Sequence, residues 1–306
     1  MVNYVRLTDA REDFAAAMAR HSGDETRVYK TAGDEELRLS LYFPQDYNPA
    51  ARQYPLIVFV HGGGWQSRKI FADQTGWAGD YLGFLARRYA EKGCLCASID
   101  YRLLRMGEEG RALIDLYEDC ADAVDYLRAH RRELGVDPAH TAVLGESAGG
   151  YLAAALTTLP IRDHAFFKTA ILVNPITDLF DPRWGAYVED ESAHPVLAAL
   201  SGPEMRTLLS PACQITAETC PTLLLHGVID SVVFPFHAVK YHDLLAAQGV
   251  ETRLDLIENT NHAFLLGEYM LEGGKPLSAL GCGVRAIDQW LAGRGFGGKE
   301  ERGENV

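Results

Sequence analysis

Positive charge is scarce in this chain of 306 residues: 29 Lys and Arg stand against 42 Asp and Glu, for a net charge of -13. Phosphate backbones are bound largely by neutralising them with Lys and Arg, so this balance excludes a nucleic-acid partner and disfavours an anionic membrane surface. Long apolar runs are lacking as well. No segment approaches the roughly 18 uninterrupted apolar residues of a membrane helix. The opening MVNYVRLTDAREDF carries neither a basic leader nor the apolar stretch of a secretory signal. The chain is therefore read as soluble and cytoplasmic. Cysteine is limited to six residues, and the closest pair, Cys94 and Cys96, has C-x-C spacing without a His partner, a poor zinc site. Buried free thiols are expected instead. Internal repeats and low-complexity segments are missing.

What is present is enough apolar sequence for a sizeable core, 47% against 23% charged residues, in one domain over 1–306. Asp9 is placed to cap a helix over 9–21. Beyond it, strand-like and helix-like stretches alternate. LRLSLYFP, YPLIVFV, CLCASIDYR, HTAVLGES, TAILVNP, PTLLLHG and TRLDLIE read as strands. Continuous apolar runs such as YPLIVFV are expected of parallel strands covered on both faces. Between them, DYLGFLARRYAEKG, LIDLYEDCADAVDYLRAHRRELG, AGGYLAAAL, FHAVKYHDLLAAQG and GCGVRAIDQWLAG read as helices. The alternation predicts an α/β fold: a mostly parallel sheet with helices on both faces. One interval departs from it. Residues 175–220 hold five prolines and little helical periodicity, so they are expected to form a lid or cap over the substrate site.

The chemistry concentrates at strand ends. Gly145-Glu146-Ser147-Ala148-Gly149 has the form G-x-S-x-G where a strand gives way to a helix. A sharp turn there would lift the Ser147 hydroxyl above the sheet edge, with small residues on either side to avoid collisions. A serine hydroxyl needs a base, and the base needs an orienting carboxylate. Asp230 follows strand TLLLHG and His262 follows strand RLDLIE, giving the order Ser, Asp, His. Asp178 and Asp255 are rivals for the acid, but Asp255 falls within a strand and Asp178 stands at the start of the lid interval. The remaining nine histidines, His61 and His226 among them, read as structural or surface residues. The glycine run His61-Gly62-Gly63-Gly64-Trp65 follows another strand, and its bare backbone lets amides approach a ligand. Gly63, Gly64 and Ala148 are thus the candidate oxyanion hole. Trp65, Trp184 and Tyr187 are candidate substrate-binding residues, set among charged neighbours that suit a sugar ring, with plain packing as the competing role.

Together, HGGGW at 61–65, DYRL at 100–103, GESAGG at 145–150, HGVID at 226–230 and NHAF at 261–264 resemble the α/β-hydrolase carboxylesterases, nearest to the hormone-sensitive-lipase-like and BD-FAE-type esterases. The resemblance spans about 35–295. It implies an acyl-serine mechanism without metal or organic cofactor, acting on a small-molecule ester. A short acyl group on a soluble polar alcohol, such as an acetylated xylo-oligosaccharide, is the substrate expected. Two departures stand out. DYRL is not followed by the usual Ala-Pro-Glu segment, and Glu146 stands where relatives commonly carry Asp. The HGG-x-W form also resembles kynurenine formamidases, so an amidase or a feruloyl-type esterase with the same triad is the alternative, a non-catalytic binding protein a more distant one. Homo-oligomerisation is left open.

Overall fold

A computed structural model describes residues 2–6, 22–66, 82–104, 111–162, 165–180, 202–262, 264–265 and 278–297. The helix expected over 9–21 and the middle of the interval 175–220 lie outside the described residues. The strands are β1 (Val2–Val5), β2 (Glu25–Ala32), β3 (Glu35–Tyr42), β4 (Tyr54–Val60), β5 (Leu95–Ile99), β6 (Val136–Glu146), β7 (Thr169–Val173), β8 (Thr222–Gly227) and β9 (Thr252–Ile257). The helices are α1 (Gly83–Glu91), α2 (Leu113–Ala129), α3 (Ala148–Thr158), α4 (Gly202–Leu209), α5 (Phe236–Ala247) and α6 (Ser278–Ala292).

Among the described residues the strands form one sheet in the order β1-β9-β8-β7-β6-β4-β5-β3-β2. The pairs β2/β3 and β3/β5 are antiparallel and all others parallel. The apolar runs explain the layering. Side chains alternate across a strand, so Leu56, Val58 and Val60 of β4 enter one core with α2, α3 and α5. Ile57 and Phe59 enter the other, with α1 and α6. Each Leu, Ile or Val buried this way contributes about 1.5–3 kcal/mol. Cys94 and Cys96 point into the same second core, as their spacing implied, and all six cysteines are free.

Helix ends follow local chemistry. Past α1, Gly93 at φ 92° folds back so that its N–H bonds the Ala90 carbonyl and the Cys94 N–H bonds that of Tyr89. Helix α2 is shorter than its periodicity suggested: it stops at Ala129, and residues 130–134 form turns before Gly135 at φ 61°. Its start is tied by the Asp115 carboxylate, which accepts the Ala112 N–H at 2.7 Å. Asp119 of α2 is fully buried and accepts the Lys30 ammonium at 2.7 Å and the Arg102 guanidinium at 2.7 and 2.9 Å. This anchors edge strand β2 and the DYRL segment to one helix.

Two strands escaped the sequence reading. β2 pairs with β3 through a hairpin turning at Gly33, φ 63°. β1 runs parallel to β9, with Val2 opposite Leu254 and the Asn3 amide bonded to Asp255 at 2.8 Å. The interval expected as a lid departs from β7 and returns through α4, and its two ends are stitched together. The Ala212 N–H bonds the Thr177 carbonyl at 2.9 Å, and the Leu179 N–H bonds the Ser210 hydroxyl at 2.9 Å. No helix among the described residues is long and apolar enough to cross a membrane.

Candidate active site

Backbone strain marks the carboxyl edge of the sheet. Of the five non-glycine residues at positive φ among the described residues, Trp65, Ser147, Asn174 and Asn259 follow strands β4, β6, β7 and β9. Such conformations cost roughly 1–3 kcal/mol and persist where the surroundings impose them. Ser147 sits at φ 56°, ψ -121°, directly before α3. Its own N–H bonds the Val173 carbonyl and its carbonyl accepts the Tyr151 N–H, so neighbouring strand and following helix hold the turn from both sides.

The glycines around Ser147 are required by contact. A Cβ on Gly145 would lie 2.1 Å from the Gly149 carbonyl oxygen, and one on Gly149 would lie 2.1 Å from the Val60 oxygen and 2.5 Å from that of His61. The start of α3 is therefore pressed against the end of β4 and the glycine loop that follows it. That loop is itself fixed. Tyr101 stacks on His61 with ring centroids 4.2 Å apart, and its hydroxyl donates to the carbonyls of His61 and Gly62 at 2.8 and 3.1 Å. The Gln66 N–H binds the Gly63 carbonyl. In a planar trans peptide the next N–H points opposite to the carbonyl. Restraining the carbonyls of Gly62 and Gly63 thus fixes the amides of Gly63 and Gly64 away from those contacts.

The three residues expected to cooperate are brought together. His262 Nε2 lies 2.8 Å from Ser147 Oγ, and His262 Nδ1 lies 2.7 Å from Asp230 Oδ2. Against a carboxylate Nδ1 is the donor, which leaves Nε2 a free pair to accept the Ser147 proton. The side chain of Asn261 accepts the His262 N–H at 2.8 Å and steadies the loop. Burial pulls Asp230 upward, but the hydrogen bonds it accepts from His226 and His262 outweigh that, leaving the carboxyl well below the usual carboxylate range. The rivals are used elsewhere: Asp178 pairs with Lys240, and Asp255 with Arg253 and Asn3.

Other residues are placed less firmly by the sequence. Trp65 is only 1% exposed and packs edge-on against Tyr151 with centroids 5.5 Å apart, which matches the packing role named beside substrate contact. Its left-handed backbone, φ 59°, accompanies that inward placement. Trp184 and Tyr187 lie outside the described residues. His226, set aside with the structural histidines, reaches Asp230 Oδ2 at 3.2 Å. The signal was its place four residues before Asp230 at the end of β8. Tyr101 was visible only as part of DYRL. Glu146 is fully buried on the face carrying Ala142 and Leu144, and neither carboxyl oxygen has a hydrogen-bond partner. Burial drives its pKa to about 8; the approach of the Leu265 amide opposes this, and the nearby Asp230 charge adds to it.

Comparison with known proteins gives this geometry a context. A family model described as BD-FAE matches residues 39–245. A probable isoprenylcysteine alpha-carbonyl methylesterase of Oryza sativa subsp. japonica is 26% identical over 257 residues, covering 78% of this chain and 58% of that protein. Gut esterase 1 of Caenorhabditis elegans is 28% identical over 146 residues, covering 46% of this chain and 24% of its own. The chain thus spans a little over half the length of the rice relative. Among solved structures, the thermophilic esterase Est2 of Thermogutta terrifontis is similar with a TM-score of 0.73 at 27% identity, covering 92% of this chain and 96% of that one. The same esterase is known with butyrate bound, at 28% identity, TM-score 0.73 and 92% and 97% coverage. Phosphonylated by sarin, it gives 26% identity, TM-score 0.73 and coverage of 90% and 96%.

Proposed function

The chain belongs to the BD-FAE family of α/β-hydrolase-fold esterases, and from that footing we propose that it is a serine carboxylesterase working through an acyl-serine intermediate. The observation that carries the reading is the unbroken chain from Ser147 Oγ through His262 to Asp230, at 2.8 and 2.7 Å, set on a strained turn. Ser147 attacks the ester carbonyl while His262 Nε2 takes its proton. The same proton is delivered to the departing alkoxide as the acyl-enzyme forms. Asp230 holds the Nδ1–H tautomer and stabilises the imidazolium. Water, activated by His262, then attacks the acyl-serine and releases the acid. Charge developing on the carbonyl oxygen is met by the amides of Gly63, Gly64 and Ala148, the last also at the positive end of α3.

The substrate side rests on chemistry and likeness. Propionate and butyrate occupy solved forms of the Thermogutta esterase, which supports a short acyl group here. For the alcohol, a soluble polar group such as an acetylated xylo-oligosaccharide is proposed. The interval 175–220, with Trp184 and Tyr187, is assigned its contacts. The test uses p-nitrophenyl acetate, butyrate and octanoate, acetate release from acetylated xylo-oligosaccharide, and labelling by a fluorophosphonate. Wild-type protein should favour the short acyl esters and take up one label, and Ser147→Ala should lose both properties while keeping its fold. Turnover that survives in Ser147→Ala sinks the mechanism; a preference for octanoate sinks the substrate assignment.

A further inference from the structure

Asp230 is held by four donors, and one of them comes from a second histidine. Its Oδ1 accepts the N–H groups of Val232 and Val233, both at 2.9 Å. Its Oδ2 accepts His262 Nδ1 at 2.7 Å and lies 3.2 Å from His226 Nε2. The His226 ring is fully buried. Its Nε2 also lies 2.9 Å from the Val233 carbonyl. A carbonyl only accepts, so Nε2 must carry the proton, forked between Val233 and Asp230. His226 Nδ1 is buried without any hydrogen-bond partner. A second proton there would be unsatisfied, so the ring is held as the neutral Nε2–H tautomer. Val233 is therefore gripped at both ends, its N–H by Asp230 and its carbonyl by His226, in a closed ring of three residues.

We infer that His226 is a positioning residue for the triad: through Nε2–H it fixes Asp230 Oδ2 on the axis of His262 Nδ1 and sets how strongly that carboxylate supports the imidazolium. The inference rests on the proposed esterase mechanism. Without the His226 N–H, Oδ2 would keep a single donor. The carboxylate would then be free to rotate about its Oδ1 contacts, and His262 would lose its fixed direction toward Ser147. The carboxylate would also be less neutralised and would favour protonated His262, so the acid limb of activity would move to higher pH. Glu146 is the other carboxyl nearby, itself raised by the Asp230 charge, and it is unchanged by substitution at His226.

The test compares His226→Phe, which keeps the ring volume but removes the N–H, with His226→Gln, whose amide nitrogen can reach the place of Nε2. Hydrolysis of p-nitrophenyl butyrate is followed against pH for wild type, both variants and Ser147→Ala. In His226→Phe, kcat should fall roughly tenfold or more, as for loss of a hydrogen bond to a charged group. KM should stay nearly constant, the acid limb of kcat/KM should move up, and the downfield proton resonance of His262 Nδ1–H should shift or broaden. His226→Gln should restore all three. Wild-type kcat and acid limb in His226→Phe, or equal losses in Phe and Gln, would overturn the inference in favour of plain packing. If His226→Phe does not fold, His226→Asn, whose amide falls short of the Nε2 position, takes its place with the same expectations. Residual turnover in Ser147→Ala would instead refute the esterase mechanism, whatever the His226 variants do.

Discussion

Replacing Glu146 by Gln should change how stability depends on pH. The carboxyl is fully buried without a hydrogen-bond partner, and burial raises its pKa from 4.5 to about 8. The unfolded chain loses this proton near its ordinary value, whereas the folded chain keeps it until about pH 8. Between those limits the folded state binds more protons than the unfolded state, so stability is full below the unfolded value and falls as pH rises. The slope is about 1.4 kcal/mol per pH unit for a single proton. From pH 5 to pH 8 the group therefore costs the wild type about 3–4 kcal/mol that a Gln side chain, which does not titrate, avoids. Urea unfolding midpoints for wild type and Glu146→Gln at pH 5, 6.5 and 8 measure this directly, because every other titrating group is common to both. The variant should gain on the wild type steadily across the series. A stability difference that stays constant with pH would show that Glu146 is not held protonated, and the account of its burial would be wrong.

Three further substitutions separate other parts of the structure. Gly149→Ala puts a carbon 2.1 Å from the Val60 oxygen, where a carbon–oxygen contact normally needs about 3.3 Å. The start of α3 must then move by about 1 Å, and kcat should fall about a hundredfold. Gly249→Ala, strained at φ 73° but with nothing within 4 Å of the new carbon, should cost only about 1–2 kcal/mol in urea unfolding and leave kcat alone. Matching effects of the two would contradict the close-approach argument. Asp119→Asn removes the charge between Lys30 and Arg102 and should destabilise by about 3–5 kcal/mol. A thermal melt within a degree of wild type would refute that weight.

The strands that form the two cores were legible because their apolar runs are local signals, and the meeting of Ser147, Asp230 and His262 was legible because each follows such a run. β2 was not, since ETRVYKTA leaves alternate residues exposed and its sense depends on β3 beyond the Gly33 turn. β1 was less legible still, with four residues whose partner lies at 254–257. His226 looks like any histidine at a strand end; only the 3.2 Å approach to Asp230 distinguishes it. Trp65 was open to both substrate contact and packing because glycine neighbours suggest an open loop, while nothing local says that its left-handed backbone accompanies an indole packed against Tyr151.

Strand β1 carries a consequence for synthesis. Its seat on β9 joins Val2 to Leu254, so β1 is made about 250 residues before the strand it docks on. Until β1 docks, β9, which leads into the His262 loop, presents an unpaired edge, the kind of edge that recruits foreign strands. Four short residues, with Tyr4 69% exposed, thus act as a late clasp. Their docking follows the synthesis of β9 and replaces its six-residue edge with a four-residue one, a shorter template for other chains.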